Sequence, residues 1–383
     1  MIERFALEER HERHRERVRH FCDEHVEPHI DKHERSGTFP EEVVRAVGTG
    51  GLTGVPYPEE YGGLGGDFRS FAVTVEELAR TWKLVAGAVN IACGLVGYPI
   101  AEFGKDTQRE SWLNRICTGE WIPAFSLTEP EAGSDAASIS TSAERDGDDW
   151  VINGEKIWTT HGSIADFITV VARTTESDDH RGISLIGIPE PHERTGFSVE
   201  RDIPCMEGPA AIESELRFDD VRVPADHLIG EEGRGFRYIM EGLDIGRIGT
   251  AAQGTGIAQG AFEVSRRYAD EREQFGQPIR DFQGVGFKLA DMASKTEAAR
   301  LLTLAAADQR DRGERVTKLA AMAKTFATDV GMEVSTEAVQ VLGARGYSQD
   351  YPVERYMREA KGTQIYDGTN EINRLVIVNR LYD

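Results

Sequence analysis

The spacing of apolar residues along the chain changes twice. From residue 1 to about 123 they recur at helical intervals in "EEVVRAVGTGGL", "RSFAVTVEELART" and "AGAVNIACGLVGYPIAEFG". These runs follow a polar, amphipathic opening and flank the glycine-rich loop "PYPEEYGGLGGDF". From about 124 to 232 the runs shorten and become β-rich: "WVINGEKIW", "FITVVART", "GISLIGI" and "SELRFDDVRV", separated by Asp, Gly and Pro. That pattern predicts an antiparallel barrel or sandwich. After "GEEGRGF" the helical spacing returns. It places Leu289, Met292, Ala293, Thr296 and Ala299 on one stripe and Leu319, Met322, Phe326, Val330 and Val334 on another, as in a bundle. The expected fold is a multidomain α+β one, with an all-α domain over 1–123, a central β domain over 124–232 and a helical bundle over 233–383.

Length and composition agree with several cores: 383 residues, 39% hydrophobic, exceed what one ordinary core holds. The net charge of −22 opposes a general affinity for nucleic acid or an anionic membrane. Only nine of the 44 basic residues are Lys, against 66 acidic residues. An acidic, Arg-over-Lys surface suits a protein in high salt, where self-repulsion is screened. Cys22, Cys93, Cys117 and Cys205 have no paired spacing, so neither a metal site nor a disulfide framework is expected. The charged N-terminus lacks the apolar region of a signal peptide, and no window is expected to approach a membrane span. A cytoplasmic, reducing location follows. Six of the ten histidines crowd into "HERHRERVRHFCDEHVEPHIDKH", interleaved with charges, and are expected on a solvated face.

Three stretches carry candidate chemistry. "GTGIAQG" has the glycines of a dinucleotide loop but lies inside a helical run with no preceding strand, so close helix packing is expected. In "AFSLTEPEAGSD", Thr128, Gly133 and Ser134 offer hydroxyls and open backbone, and in "INGEKIWTTHG" Trp158 to Thr160 alternate a flat aromatic with a hydroxyl on a strand. A planar cofactor would suit them, but from spacing alone two ordinary turns and a core Trp are the better reading. In "KGTQIYDGTNEINR", Asp367 is either turn chemistry or a base aimed into a pocket.

Together with "EEYGGLGG", "LDIGRIGTAAQGTGIAQGA", "DEREQFGQPIRDFQGVGFKLADM", "AVQVLGARGY" and "YPVERYMREAKGTQIYDGTNEINRLVIVNRLY", these stretches closely resemble the acyl-CoA dehydrogenase family from about residue 50 to the end. The resemblance implies an acyl-CoA dehydrogenase fold with a C-terminal four-helix bundle, FAD as cofactor, a homotetramer built as a dimer of dimers, and an electron-transferring flavoprotein as electron acceptor. It implies that Leu127, Thr128, Gly133, Ser134, Trp158, Thr159 and Thr160 hold the flavin end. Arg272, Phe275 and Gln283 would reach the FAD pyrophosphate and adenosine of a neighbouring subunit, with Gln340, Gly343 and Ala344 on the adenine side and Thr369, Asn370 and Glu371 as a last contact. Ser134, Asp244, Arg247 and Gly368 would meet the acyl-CoA substrate; the bland alternative for Asp244 and Arg247 is a helix-surface ion pair.

The family's reaction removes a Cα proton of an acyl thioester while Cβ gives hydride to flavin, leaving a trans-2-enoyl thioester. Its base is usually a Glu at the position of Asp367, and in some members a residue at the position of Gly246. Glycine cannot act, so the resemblance assigns the proton to Asp367. Asp is shorter than Glu by about 1.5 Å, and a misplacement of about 1 Å can lower a rate around a hundredfold. The shorter base keeps open two other readings: a carbon-acid flavoenzyme of the same fold, such as a nitroalkane oxidase or an acyl-CoA oxidase, and a non-catalytic flavin-binding relative. Pro209, Ala344 and His161 also depart from the family's common residues.

Overall fold

The structure is a computed structural model, and it describes residues 7–175 and 180–382. The first third is helical: α1 (Glu9–His25), α2 (Ile30–Ser36), α3 (Glu41–Thr49) and α4 (Phe68–Thr81). Helix α4 starts where the Asp67 carboxylate accepts from the Ser70 N–H at 2.8 Å, satisfying a donor that a helix N-terminus leaves open. Helix α5 (Lys83–Asn90) runs through a π-helical stretch, Ile91–Val96, into α6 (Gly97–Phe103), and the short turns α7 (Asp106–Gln108) and α8 (Asn114–Cys117) follow.

Two expectations are corrected here. Lys83–Phe103 is 21 residues long with a mean hydropathy of 1.7, enough by length and composition to cross a membrane, yet 89% of that window is buried in the fold. A helix that is apolar all round belongs in the core of a large protein as well as in a bilayer. The histidine-rich opening is not wholly solvated either. His11 is buried against Asp67 at 3.0 Å and His33 against Glu42 at 2.9 Å, because α1 and α2 turn those positions inward.

The middle third is one sheet: β1 (Pro123–Ser126), β2 (Ser142–Asp146), β3 (Asp149–Thr160), β4 (Phe167–Arg173), β5 (Ile183–Pro189), β6 (Phe197–Asp202), β7 (Glu213–Pro224) and β8 (Leu228–Ile229). The strand order is β6-β7-β3-β2-β4-β5-β8, and β1 joins β4 in parallel while the longer pairings are antiparallel. Strand β4 reads as a continuous apolar run because both its faces are covered. Ile168, Val170 and Ala172 enter the core of the β domain, whereas Phe167 and Val171 enter the core shared with the helices. Trp112 and Trp121 flank Phe167 at 5.2 and 5.5 Å between ring centroids.

The last third is built on α9 (Gly235–Glu271), 37 residues long, which packs against α4, α10 (Gln283–Asp311), α11 (Thr317–Leu342) and α12 (Val353–Thr363). A hairpin of β9 (Glu273–Gln274) and β10 (Gln277–Pro278) joins α9 to α10, and α13 (Asn370–Asn379) closes the described chain. The glycines of "GTGIAQG" do serve close packing. A Cβ on Gly256 would lie 2.2 Å from the Glu76 carbonyl of α4, and one on Gly254 would lie 2.7 Å from the Ala327 carbonyl of α11. The stripe expected on α11 needs correction: Phe326 faces outward, and the buried positions are mostly small, among them Ala320, Ala323 and Ala327. Backbones this close leave no room for large side chains.

Candidate active site

Asp367 sits in the loop between α12 and α13 as the first of two consecutive left-handed residues, at φ 55°, with Gly368 at φ 82°. Asp tolerates this conformation better than most residues, and Gly needs no tolerance. The backbone of Asp367 makes the turn, and the same turn aims its side chain. The turn is pinned from below. Lys324 Nζ donates to the Gly368 carbonyl at 2.9 Å and to Asn370 Oδ1 at 2.8 Å, and Asn373 Nδ2 donates to the same carbonyl at 2.7 Å.

The Asp367 carboxylate points at α9 and α5. Its Oδ2 accepts from the Thr250 hydroxyl at 2.6 Å and from Asn90 Nδ2 at 3.3 Å. Gly246 lies alongside: a Cβ there would be 3.3 Å from Asp367 Oδ2. The two positions at which the sequence comparison looked for a base thus converge on one spot, and only one holds a carboxylate. Behind it, Tyr366 donates its hydroxyl to Gln253 Oε1 at 2.5 Å, and Lys83 Nζ lies 4.9 Å from the Tyr366 ring centroid while bonding Glu207 at 2.7 Å.

Asp244 and Arg247 are not a surface pair. Both are buried, 2.8 Å apart, and the Thr317 hydroxyl donates to Asp244 at 2.6 Å. They line a cleft of about 630 Å³ whose wall also carries Arg237, Arg310, Arg315 and Arg380. Arg247 Nε is buried with no hydrogen-bond partner among the described residues. A buried donor left in that state suits a ligand acceptor. Arg247 also reaches the Asp367 loop, its Nη2 lying 3.9 Å from where a Cβ on Gly368 would stand.

The Trp158 segment departs from regular alternation. The pairing of β3 with β7 shifts between Lys156 and Thr159, and Trp158 takes φ 60°. This bulge re-aims the indole and leaves it 52% exposed. Thr159 turns inward, its hydroxyl 2.8 Å from Ser126 Oγ. Thr160 donates to Glu213 at 2.8 Å. Burial, with Glu207 nearby, pushes the Glu213 carboxyl up to about 8 against the opposing Thr160 bond, so it holds a proton at neutral pH. Beneath the loop of Leu127 and Thr128, Lys156 Nζ donates to the Leu127 carbonyl and to Glu129, both at 2.8 Å. Burial alone would raise Glu129, but Lys156 and bonds from Thr141 and Ser140 hold it at about 2. Gly133 and Ser134 lie exposed, and a Cβ on Gly133 would meet nothing within 4 Å. An exposed indole, a half-buried hydroxyl and open backbone around Gly133 fit a flat, hydrogen-bonding ring system.

The remaining residues lie elsewhere. Arg272 precedes β9 and Phe275 lies in the turn between β9 and β10, Gln283 begins α10, Gln340 lies in the last turn of α11, and Gly343 and Ala344 open the short 3-10 turn after it; Phe275 is 96% exposed. Thr369 caps α13, accepting from the Ile372 N–H at 3.2 Å, and Glu371 is exposed. The Asn370 side chain is engaged inside the bundle, donating to Asp329 at 2.8 Å and to Thr328 at 3.0 Å as well as receiving Lys324. Sequence reasoning missed Asn90, Thr250, Lys324, Glu213 and Lys83. Two of these had a signal: Asn90 is a lone polar residue in an apolar run, and Thr250 stands one helical turn from Gly246.

Profiles of the acyl-CoA dehydrogenase N-terminal, middle and C-terminal domains match residues 8–120, 124–221 and 233–382. A short-chain specific acyl-CoA dehydrogenase of Clostridium acetobutylicum is 40% identical over 378 residues, 99% of each chain. The mouse mitochondrial short-chain specific enzyme is 38% identical over 98% of this chain and 90% of its own. Butyryl-CoA dehydrogenase of Megasphaera elsdenii has the same fold, with a TM-score of 0.95 at 39% identity over 99% of each chain. A chain solved with the electron transferring flavoprotein work on Acidaminococcus fermentans gives 0.96 at 41% identity, over 98% of this chain and 99% of that one. With all three domains matched in order and relatives of this identity spanning nearly its full length, the chain belongs to the acyl-CoA dehydrogenase family.

Proposed function

We infer that the protein oxidises a short-chain acyl-CoA thioester to its trans-2-enoyl product, with Asp367 taking the Cα proton. The observation that carries this reading is the Asp367 carboxylate, held by Thr250 and Asn90 beside the vacant Gly246 position. The short-chain assignment rests on the likeness to short-chain specific and butyryl-CoA enzymes.

FAD, when bound, would supply the acceptor for the Cβ hydride. Leu127, Thr128, Gly133, Ser134, Trp158, Thr159 and Thr160 would hold its ring end, Thr159 through its backbone because its hydroxyl is spent on Ser126. Arg272, Phe275, Gln283, Gln340, Gly343 and Ala344 would hold the pyrophosphate and adenosine across a subunit boundary, and Thr369 to Glu371 would contribute backbone groups. An Arg beside a pyrophosphate donates paired, charge-assisted bonds. The arginine-lined cleft suits the phosphates of CoA for the same reason, with Arg247 Nε a waiting donor for the pantetheine arm. Asp244 keeps Arg247 in place. Ser134 and Gly368 would border the thioester. Asp367 would take the Cα proton, and FAD, when bound, would accept the hydride from Cβ.

Anaerobic bleaching of the bound flavin by saturated acyl-CoA thioesters of increasing chain length, with a nitroalkane as comparison, tests the reading. Four- to six-carbon thioesters should bleach fastest, and Asp367→Asn should keep the flavin and lose bleaching by about a thousandfold or more. Bleaching by a nitroalkane alone would move the protein to the carbon-acid oxidases of this fold. No bleaching by any substrate would make it a binding relative.

A further inference from the structure

We propose that Asn90 and Thr250 form a clamp that positions the short base, and that Gly246 is the vacancy the clamp requires. This rests on Asp367 being the base.

Several Thr and Ser residues inside these long helices bond back to the carbonyl four residues earlier. Thr255, Ser265, Thr296, Thr303 and Thr328 all do so, at 2.8–2.9 Å. Thr250 does not. The carbonyl it would use, that of Gly246, accepts instead from Asn90 Nδ2 at 3.2 Å. The Thr250 hydroxyl is left to donate to Asp367 Oδ2 at 2.6 Å. Asn90 adds its own contact to the same oxygen at 3.3 Å and a further one to Thr250 Oγ1 at 3.4 Å. Both contacts fall on Oδ2, so Oδ1 is the oxygen that receives the proton as the Cα–H bond breaks. A side chain at 246 would start 3.3 Å from Asp367 Oδ2 and 2.9 Å from Leu95, displacing the carboxylate or the wall behind it.

The three residues come from α5, α9 and the α12–α13 loop, and all three elements must be in place before the clamp exists. The charged groups facing it are Lys324 from α11, through the Gly368 carbonyl, and Arg247 from α9; Tyr366 adjoins Asp367 in the loop. None of them bonds Asp367 Oδ2, so Thr250 and Asn90 alone set its direction among the described residues.

The experiment uses the flavin-loaded protein and three substitutions. Thr250→Val keeps the shape and removes the hydroxyl, Thr250→Ser keeps the hydroxyl, and Asp367→Asn removes the base. Under single-turnover bleaching, Thr250→Val should bind thioester as the parent does yet reduce flavin about ten- to a hundredfold more slowly. Thr250→Ser should stay within about threefold of the parent. A parental rate for Thr250→Val, with Asp367→Asn inactive, would overturn the clamp and leave the base assignment standing; so would an equal loss in Thr250→Ser. Parental bleaching by Asp367→Asn would overturn the base assignment and the clamp with it. Should the Val substitution lose flavin, Thr250→Ala is read by the same outcomes.

Discussion

Lys324 is fully buried, and its ammonium ends on two oxygens, the Gly368 carbonyl of the Asp367 loop and Asn370 Oδ1 at the start of α13. Burial pushes it down to about 8, against the pull of Asp367, so it remains charged at neutral pH and ties the left-handed turn to α11. Lys324→Met keeps the stem and removes the donors. Flavin reduction should fall about tenfold with thioester affinity little changed, and unfolding free energy should drop by about 2 kcal/mol, because Asn370 Oδ1 loses a buried partner; stopped-flow bleaching and denaturant titration would check both. Asp367, Asp244 and Arg247 were legible in the sequence because each lies in a motif that is local. Asn90 and Thr250 left only a faint local signal, because the residue each serves is 277 and 117 positions away, and their meeting with it is set by the fold.

Among the elements, the long helices and the four strongest strands could be read from apolar spacing, since burial on one face leaves a period in the chain. Strands β1, β2, β6 and β8 could not: they are short or polar, and their neighbours define them. The Trp158 bulge was equally invisible, because it arises from the register of β3 against β7. Helix α12 illustrates a charge whose consequence also depends on packing. Burial pushes Glu359 up to about 8, against Arg355 3.6 Å away. Between its ordinary value of 4.5 and about 8, the folded chain keeps a proton that the unfolded chain releases. Stability contributed by this group is therefore complete below that window and is lost as pH rises through it. Glu359→Gln removes the slope. Thermal melts should find the substituted protein gaining on the parent by about 4 kcal/mol between pH 5 and pH 8.5, while Glu213 retains its own share of the effect.

At the scale of the whole molecule, a net charge of −22 repels itself in dilute buffer. We read the acidic, Arg-rich composition as that of a protein working in high salt. Raising KCl from about 0.05 M to about 2 M should lift the melting temperature by several degrees, the Debye length falling from about 14 Å to about 2 Å; an unchanged or lower value would count against the halophilic reading. Phe275 and Tyr347, 96% and 90% exposed in the single chain, lie in segments expected to meet a neighbouring copy. Sedimentation in high salt should therefore give about four times the 42.4 kDa of one chain. The helices of the first and last thirds share one hydrophobic core, while the sheet between them has a second of its own. On the ribosome, the opening helices must then wait through the making of the sheet for the partners that α9 and α11 supply, and the largest core closes only after both long helices have been made.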